Sequence, residues 1–136
     1  MPSPTVELKL PVLPNMELIA TQTAEVISRH MGLNEDQTAE ISMALIEACM
    51  NAFEHSKTKT NVFIHFILED DSLIIKVIDQ GIGFDKSKIE IPKIENKLGN
   101  NERKRGWGIK LIEELMDSVV YESNSEGTIV TMIKKK

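Results

Sequence analysis

The chain has 136 residues, 41% hydrophobic and 27% charged, proportions that suit one water-exposed globular domain with its own core. With 16 basic and 21 acidic residues the formal charge is −5, which argues against a surface built to neutralise nucleic-acid phosphates. Cys49 is the single cysteine, so an internal disulfide is excluded and a reducing compartment is expected. No apolar run approaches the roughly 20 residues of a membrane span, and the N-terminus lacks a signal-peptide core. A cytoplasmic chain folding as one domain over 1–136, with no membrane contact, is the expectation.

In chain order, Val6, Leu8 and Leu10 alternate with Glu7 and Lys9 as a first strand, which Pro11 and Pro14 end. Met16 to Met31 follows a helical period, with Ile19, Thr23, Val26, Ile27 and His30 on one side and Gly32 as its stop. Asn34 with Gln37 three residues on is a capping-box start for a longer helix reaching about His55. After the loop "SKTKT", Asn61 to Glu69 and Leu73 to Asp79 form a hairpin around "DDS". Residues 80–105 contain three glycines, a proline and many charges, and are read as a long irregular loop with at most a short helical turn. Ile109, Leu111, Ile112, Leu115 and Met116 mark a third helix, and Val119–Glu122 with Thr128–Ile133 make a second hairpin. This order predicts an α+β protein: a two-layer α/β sandwich with helices on one face of a mixed, mainly antiparallel sheet.

Three stretches carry residues beyond what packing needs. On the second helix, one apolar arc runs through Ile41, Ala44, Leu45, Ala48 and Ala52 and another through Met43, Ile46, Met50 and Phe53. Glu40, Glu47, Asn51 and Glu54 lie in the gap between them, with His55 at its edge. That strip is either a solvated stripe or the wall of a cleft, where Asn51 offers a neutral oxygen to Mg²⁺ and Glu47 a carboxylate to a proton. On the strand ending "VIDQGIGFD", Asp79 shares a face with Leu73, Ile75 and Val77, so its carboxylate is expected to be buried. An acceptor-only carboxylate there suits an exocyclic amine, and Gly81 and Gly83 permit close backbone approach, although an Asp-initiated turn gives the same pattern. In "KRGWGIKLIEELMD", Arg105, Gly106 and Gly108 precede the third helix, as a phosphate site at a helix N-terminus or as a basic loop. Thr128 shares a face with Val130 and Met132. His30, His65 and Cys49 show no zinc-site spacing.

Taken in order, Glu47-x-x-x-Asn51, Asp79-x-Gly81-x-Gly83, Gly106-x-Gly108 and Gly127-Thr128 resemble the N, G1, G2 and G3 boxes of the GHKL ATPases, over about residues 6 to 134. Within that group, "EACMNAFEHS" and "RGWGIKLIEELMDSV" look most like the bacterial anti-sigma-factor serine/threonine kinases. The resemblance implies the Bergerat ATP-binding fold, ATP and Mg²⁺ as cofactors, and a lid at about residues 86–104. It further implies that Asp79 bonds the adenine amine, Gly81 and Gly83 shape the pocket, Asn51 ligates Mg²⁺ and Glu47 is the general base. Arg105, Gly106 and Gly108 would hold the phosphates, Thr128 would line the adenine side, and His55 would take a secondary place. The implied partners are a sigma factor and a STAS-domain anti-anti-sigma protein, with a homodimer formed through the opening strand. A non-catalytic, ATP-gated partner-switching module is the alternative; a detached histidine-kinase domain or a topoisomerase-type ATPase fits the chain less well.

Overall fold

A computed structural model of the chain describes residues 3–55, 61–79, 101–124 and 127–136. Its elements are β1 (Thr5–Leu10), α1 (Met16–Met31), α2 (Glu35–His55), β2 (Val62–Leu68), β3 (Ser72–Asp79), α3 (Asn101–Leu115), β4 (Ser118–Asn124) and β5 (Gly127–Lys135). The strands form one sheet in the order β1-β2-β3-β5-β4, which leaves β1 and β4 at its edges. Every neighbouring pair is antiparallel, so the expectation of a mixed sheet is corrected. β4 runs in the same direction as β3, but β5 lies between them and turns both contacts antiparallel.

The period-2 alternation of the strands separates two faces. Val62, Ile64 and Phe66 on β2, Leu73, Ile75 and Val77 on β3, and Val130 and Met132 on β5 are buried and point to the helical layer. Against them pack Ile41, Ala44, Leu45, Ala48, Cys49 and Ala52 of α2, Ala20, Ala24 and Ile27 of α1, and Ile112 and Met116 of α3. Full burial of one such aliphatic or aromatic side chain contributes about 1.5–3 kcal/mol.

Helix ends follow the local signals. Asn34 Oδ1 accepts from the Gln37 amide at 2.8 Å and Gln37 Oε1 accepts from the Asn34 amide at 2.9 Å, the reciprocal pair of a capping box. At the end of α1, Gly32 adopts φ 79° while its amide and that of Leu33 donate to Arg29 and Ser28 carbonyls, a left-handed stop that disfavours a side chain.

Three readings of the helices need correction. On α1, Ile27 is buried, but Ile19 and Val26 are 43% and 64% exposed. The small Ala20 and Ala24 face inward instead, because they let α1 lie close to α2 and β2. On α2 the first apolar arc is core, whereas Met43 and Met50 of the second are exposed. α3 opens at Asn101, so the end of the expected lid, residues 101–104, is helical; residues 86–100 lie outside the described residues. Glu102, Arg103, Lys104 and Arg105 are sound helix formers, and the helix runs on through Gly106 and Gly108 despite a cost of about 1 kcal/mol each.

Burial raises the Cys49 thiol from 9.0 to about 12, with Glu17 nearby adding to the effect. Desolvation also raises the Tyr121 phenol, which donates to the Ile109 carbonyl, above its ordinary value of 10.0. Both groups hold their protons more tightly in the folded chain than in the unfolded one. Their contribution to stability is therefore complete below about pH 9 and is lost as pH rises above it, by at most about 1.4 kcal/mol per pH unit for each proton. Urea titrations at pH 8 and pH 10.5 should show a lower midpoint at the higher pH, with Cys49 inert to a thiol reagent until the chain unfolds.

Candidate active site

One turn apart on α2, Glu47 and Asn51 are both partly buried, on the side that meets α3. Gly108 is buried on α3 directly against them. A Cβ built at Gly108 would stand 2.8 Å from Glu47 Oε2, 3.5 Å from Asn51 Nδ2 and 3.8 Å from Asn51 Oδ1. The first separation is shorter than real Cβ contacts allow, so any side chain at position 108 would require the Glu47 carboxylate to move.

At the end of β3, Asp79 is 4% exposed on the helix-covered face, continuing Leu73, Ile75 and Val77 as expected. Thr128, 1% exposed, is its direct cross-strand neighbour on β5, and the Thr128 and Ser123 hydroxyls lie 3.3 Å apart. α2 packs across both β3 and β5. The helix thus holds Glu47 and Asn51 against α3 while it also packs on a sheet whose inner face ends in Asp79 and Thr128.

Glu47, Asn51 and Gly108 are therefore brought together, and Asp79 and Thr128 form a buried pair. Gly81 and Gly83 lie outside the described residues. His55 ends α2, and Arg105 and Gly106 lie on α3; the side chains of His55 and Arg105 are outside the description. Gly106 and Gly108 do not precede α3 but sit within it, which removes the expected phosphate cradle at a helix N-terminus from these glycines. The contact with Glu47 gives Gly108 a different role, that of close approach.

These residues fit an adenine nucleotide with a hard cation. An ionised carboxylate accepts several hydrogen bonds, and an amino-purine edge supplies a donor that suits it. Among the described residues no cluster of three or more His, Cys, Asp or Glu could hold a metal ion alone. A cation at Asn51 would complete its oxygen shell from ligand phosphates and water, which is how Mg²⁺ is ordinarily held beside nucleotides.

Lys134 escaped the sequence reading. It is 6% exposed, and its Nζ lies 2.6 Å from the Leu115 carbonyl oxygen and 3.0 Å from Glu40 Oε1. The signal is present in the alternation Thr128, Val130, Met132, Lys134, which carries the lysine inward.

Replacing Gly108 with alanine should separate stability from function. The added methyl meets the far end of a flexible carboxylate, and the helix gains about 1 kcal/mol of propensity, so the melting temperature should stay within a few degrees. Glu47 must give way, however, and any proton transfer through it should slow by at least about tenfold, as read by turnover and by a crystal structure of the variant.

A profile of the Histidine kinase-like ATPase domain matches residues 13–134. The serine-protein kinase RsbW of Bacillus velezensis is 33% identical over 135 residues, covering 95% of this chain and 84% of the relative. RsbW of Bacillus subtilis is 32% identical with the same coverage. Among solved structures, the RsbU and RsbW domains of a Mycobacterium tuberculosis protein superpose with a TM-score of 0.72 at 20% identity, covering 98% of this chain and 33% of that longer one. The SiaB–SiaC complex from Pseudomonas aeruginosa contains a further fold relative, with a TM-score of 0.61 at 10% identity, covering 95% of this chain and 87% of the other. The chain belongs to the histidine kinase-like ATPase domain family, among the RsbW-type serine-protein kinases.

Proposed function

We propose that the chain binds ATP with Mg²⁺ between α2, α3 and the ends of β3 and β5, and transfers the γ-phosphoryl group to a serine of a STAS-domain anti-anti-sigma protein. The observation that carries this reading is Gly108 seated on Glu47 and Asn51, beside a sheet ending in the buried Asp79 and Thr128. Asp79 accepts the adenine amine, with Thr128 along the same edge and Gly81 and Gly83 shaping the pocket. Asn51 offers its amide oxygen to Mg²⁺, which neutralises charge on the phosphates when bound. Arg105, Gly106 and Gly108 flank the phosphates, and His55 takes a secondary place. The serine oxygen bonds to the γ-phosphorus as the bond to the β–γ bridging oxygen breaks; ADP leaves, and Glu47 takes the hydroxyl proton. Such transfer demands positioning and charge neutralisation more than covalent chemistry from the protein.

In the ATP-bound state the same surface region sequesters a sigma factor, and phosphorylation of the antagonist controls which partner is held. The whole chain works as one domain in the cytoplasm, without direct contact to nucleic acid. It acts as a homodimer, a state favoured by β1 at the sheet edge with Val6 exposed. The sheet face away from the helices adds support, since it carries Phe63, Ile67, Ile74, Ile78, Ile129 and Ile133, all only partly buried. Sedimentation should give twice the 15.3 kDa chain mass; a monomer at micromolar concentration removes the dimer.

Labelled ATP, Mg²⁺ and the cognate STAS protein test the kinase reading. Glu47→Gln should leave ATP affinity within a few-fold and lower transfer by about 10²–10⁴. Asp79→Asn, which sets an amide donor against the adenine amine, should weaken ATP binding by roughly tenfold or more. ATP binding with no labelled serine would instead identify a non-catalytic, nucleotide-gated partner switch. Transfer by Glu47→Gln equal to wild type would remove the base assignment.

A further inference from the structure

The register of α2 and α3 has a second fixed point far from Gly108. Glu47 and Asn51 meet Gly108 at one end, and Glu40 meets the Leu115 carbonyl through Lys134 at the other. Later residues of α3 thus face earlier residues of α2, so the helices run antiparallel. Glu40 and Glu47 are seven residues apart, as are Gly108 and Leu115: two turns, or about 10.5 Å, on each helix. The two contacts are in step.

The end of β5 forms a knot around this second point. Lys134 donates to the last residue of α3 and pairs with Glu40 in the second turn of α2. Next to it, the Lys135 amide donates to Asp117 Oδ2 at 2.7 Å, the Lys135 carbonyl accepts from Gln37 Nε2 at 3.0 Å, and the Asp117 amide donates to the Ile133 carbonyl at 3.0 Å. The start of α2, the end of α3 and the last strand are joined there. Of these groups Lys134 alone touches both helices, and it does so from within the core, where its Nζ meets a carboxylate and a helix C-terminal carbonyl, both of favourable sign.

We propose that Lys134 is a positioning residue for phosphoryl transfer: by tying Glu40 of α2 to the C-terminus of α3, it sets the helix register that holds Gly108 against Glu47. Gly108 permits close approach but supplies nothing that resists sliding, since a glycine offers no side chain to interlock. The lysine supplies that resistance two turns away. The ion pair carries no chemistry itself and touches no reacting atom. This inference rests on the assignment of Glu47 as base.

Lys134→Met keeps the apolar stem and removes the charge. Turnover should fall roughly tenfold while the KM for ATP stays within twofold, because the loss falls on aim rather than on nucleotide contacts. Lys134→Arg should restore most of it, and Glu40→Gln, at a partly exposed position, should reproduce the loss without altering a buried side chain. Combined with Gly108→Ala, the loss should be no greater than the larger single loss, since both act through the same helix contact. Multiplicative effects, or turnover within twofold of wild type in both Lys134→Met and Glu40→Gln, overturn the proposal. Amide hydrogen exchange reads the same tie without catalysis: Gly108 to Ile112 should exchange at least about fivefold faster in Lys134→Met, with β2 and β3 unchanged. Unchanged exchange in α3 overturns the proposal whether or not the wild-type chain transfers phosphate, whereas a wild type without transfer defeats only the kinase reading.

Discussion

Where α3 crosses α2, the hydrogens of Gly108 occupy space in which any other residue would set a carbon 2.8 Å from Glu47 Oε2. Much of the candidate site follows from that one close approach. It marks which face of α2 meets α3, and so sets Glu47 and Asn51, on a polar strip that could have been solvated, at a helix contact. It also explains a glycine inside a helix, where the residue is otherwise unfavourable by about 1 kcal/mol. The local cost is offset by tertiary contact, as functional sites commonly require.

The other wall depends on the sheet. Because every neighbouring pair is antiparallel, side chains directly opposite one another share a face, and Asp79 and Thr128 are such neighbours. Their burial at the end of an otherwise apolar face concentrates polar groups where the core stops. The same register leaves the opposite face with a set of isoleucines outside the helical layer, an arrangement more apolar than a solvated face needs. One surface of the sheet thus carries the buried Asp79 and Thr128 beneath the helices, and the other stays apolar and only partly buried.

A kinase of this kind supplies little covalent chemistry, and its rate depends on holding a proton acceptor, a cation ligand and the phosphates in a fixed relation. In this chain Glu47 and Asn51 share one helix, Asp79 belongs to a central strand, and Gly108 belongs to a second helix. Errors in their relation are errors in how α2 and α3 sit together on the sheet. The buried Lys134, with Glu40 and the Leu115 carbonyl, lies at the point where all three elements join.

Local pattern was enough for most of the fold. The alternation of β2 and β3, the Asn34–Gln37 box and Gly32 place the element ends to within a residue or two, and burial of Asp79 follows from the parity of its strand. Local pattern failed where a neighbour decides. Ile19 and Val26 are apolar yet exposed, since Ala20 and Ala24 are the residues small enough for α1 to approach α2. Gly106 and Gly108 read as a helix start because glycine is rare within helices, and the reason for Gly108 lies on α2, about sixty residues earlier in the chain. Lys134 is one of three consecutive lysines at the end of the sequence, yet its strand parity turns it inward. The sequence by itself determined which residues are helix, strand and chemically equipped, because those properties depend on neighbours a few positions away. Only the tertiary structure decided which helix faces meet, which glycine carries a contact and which lysine is buried, because those outcomes depend on distances between segments remote along the chain.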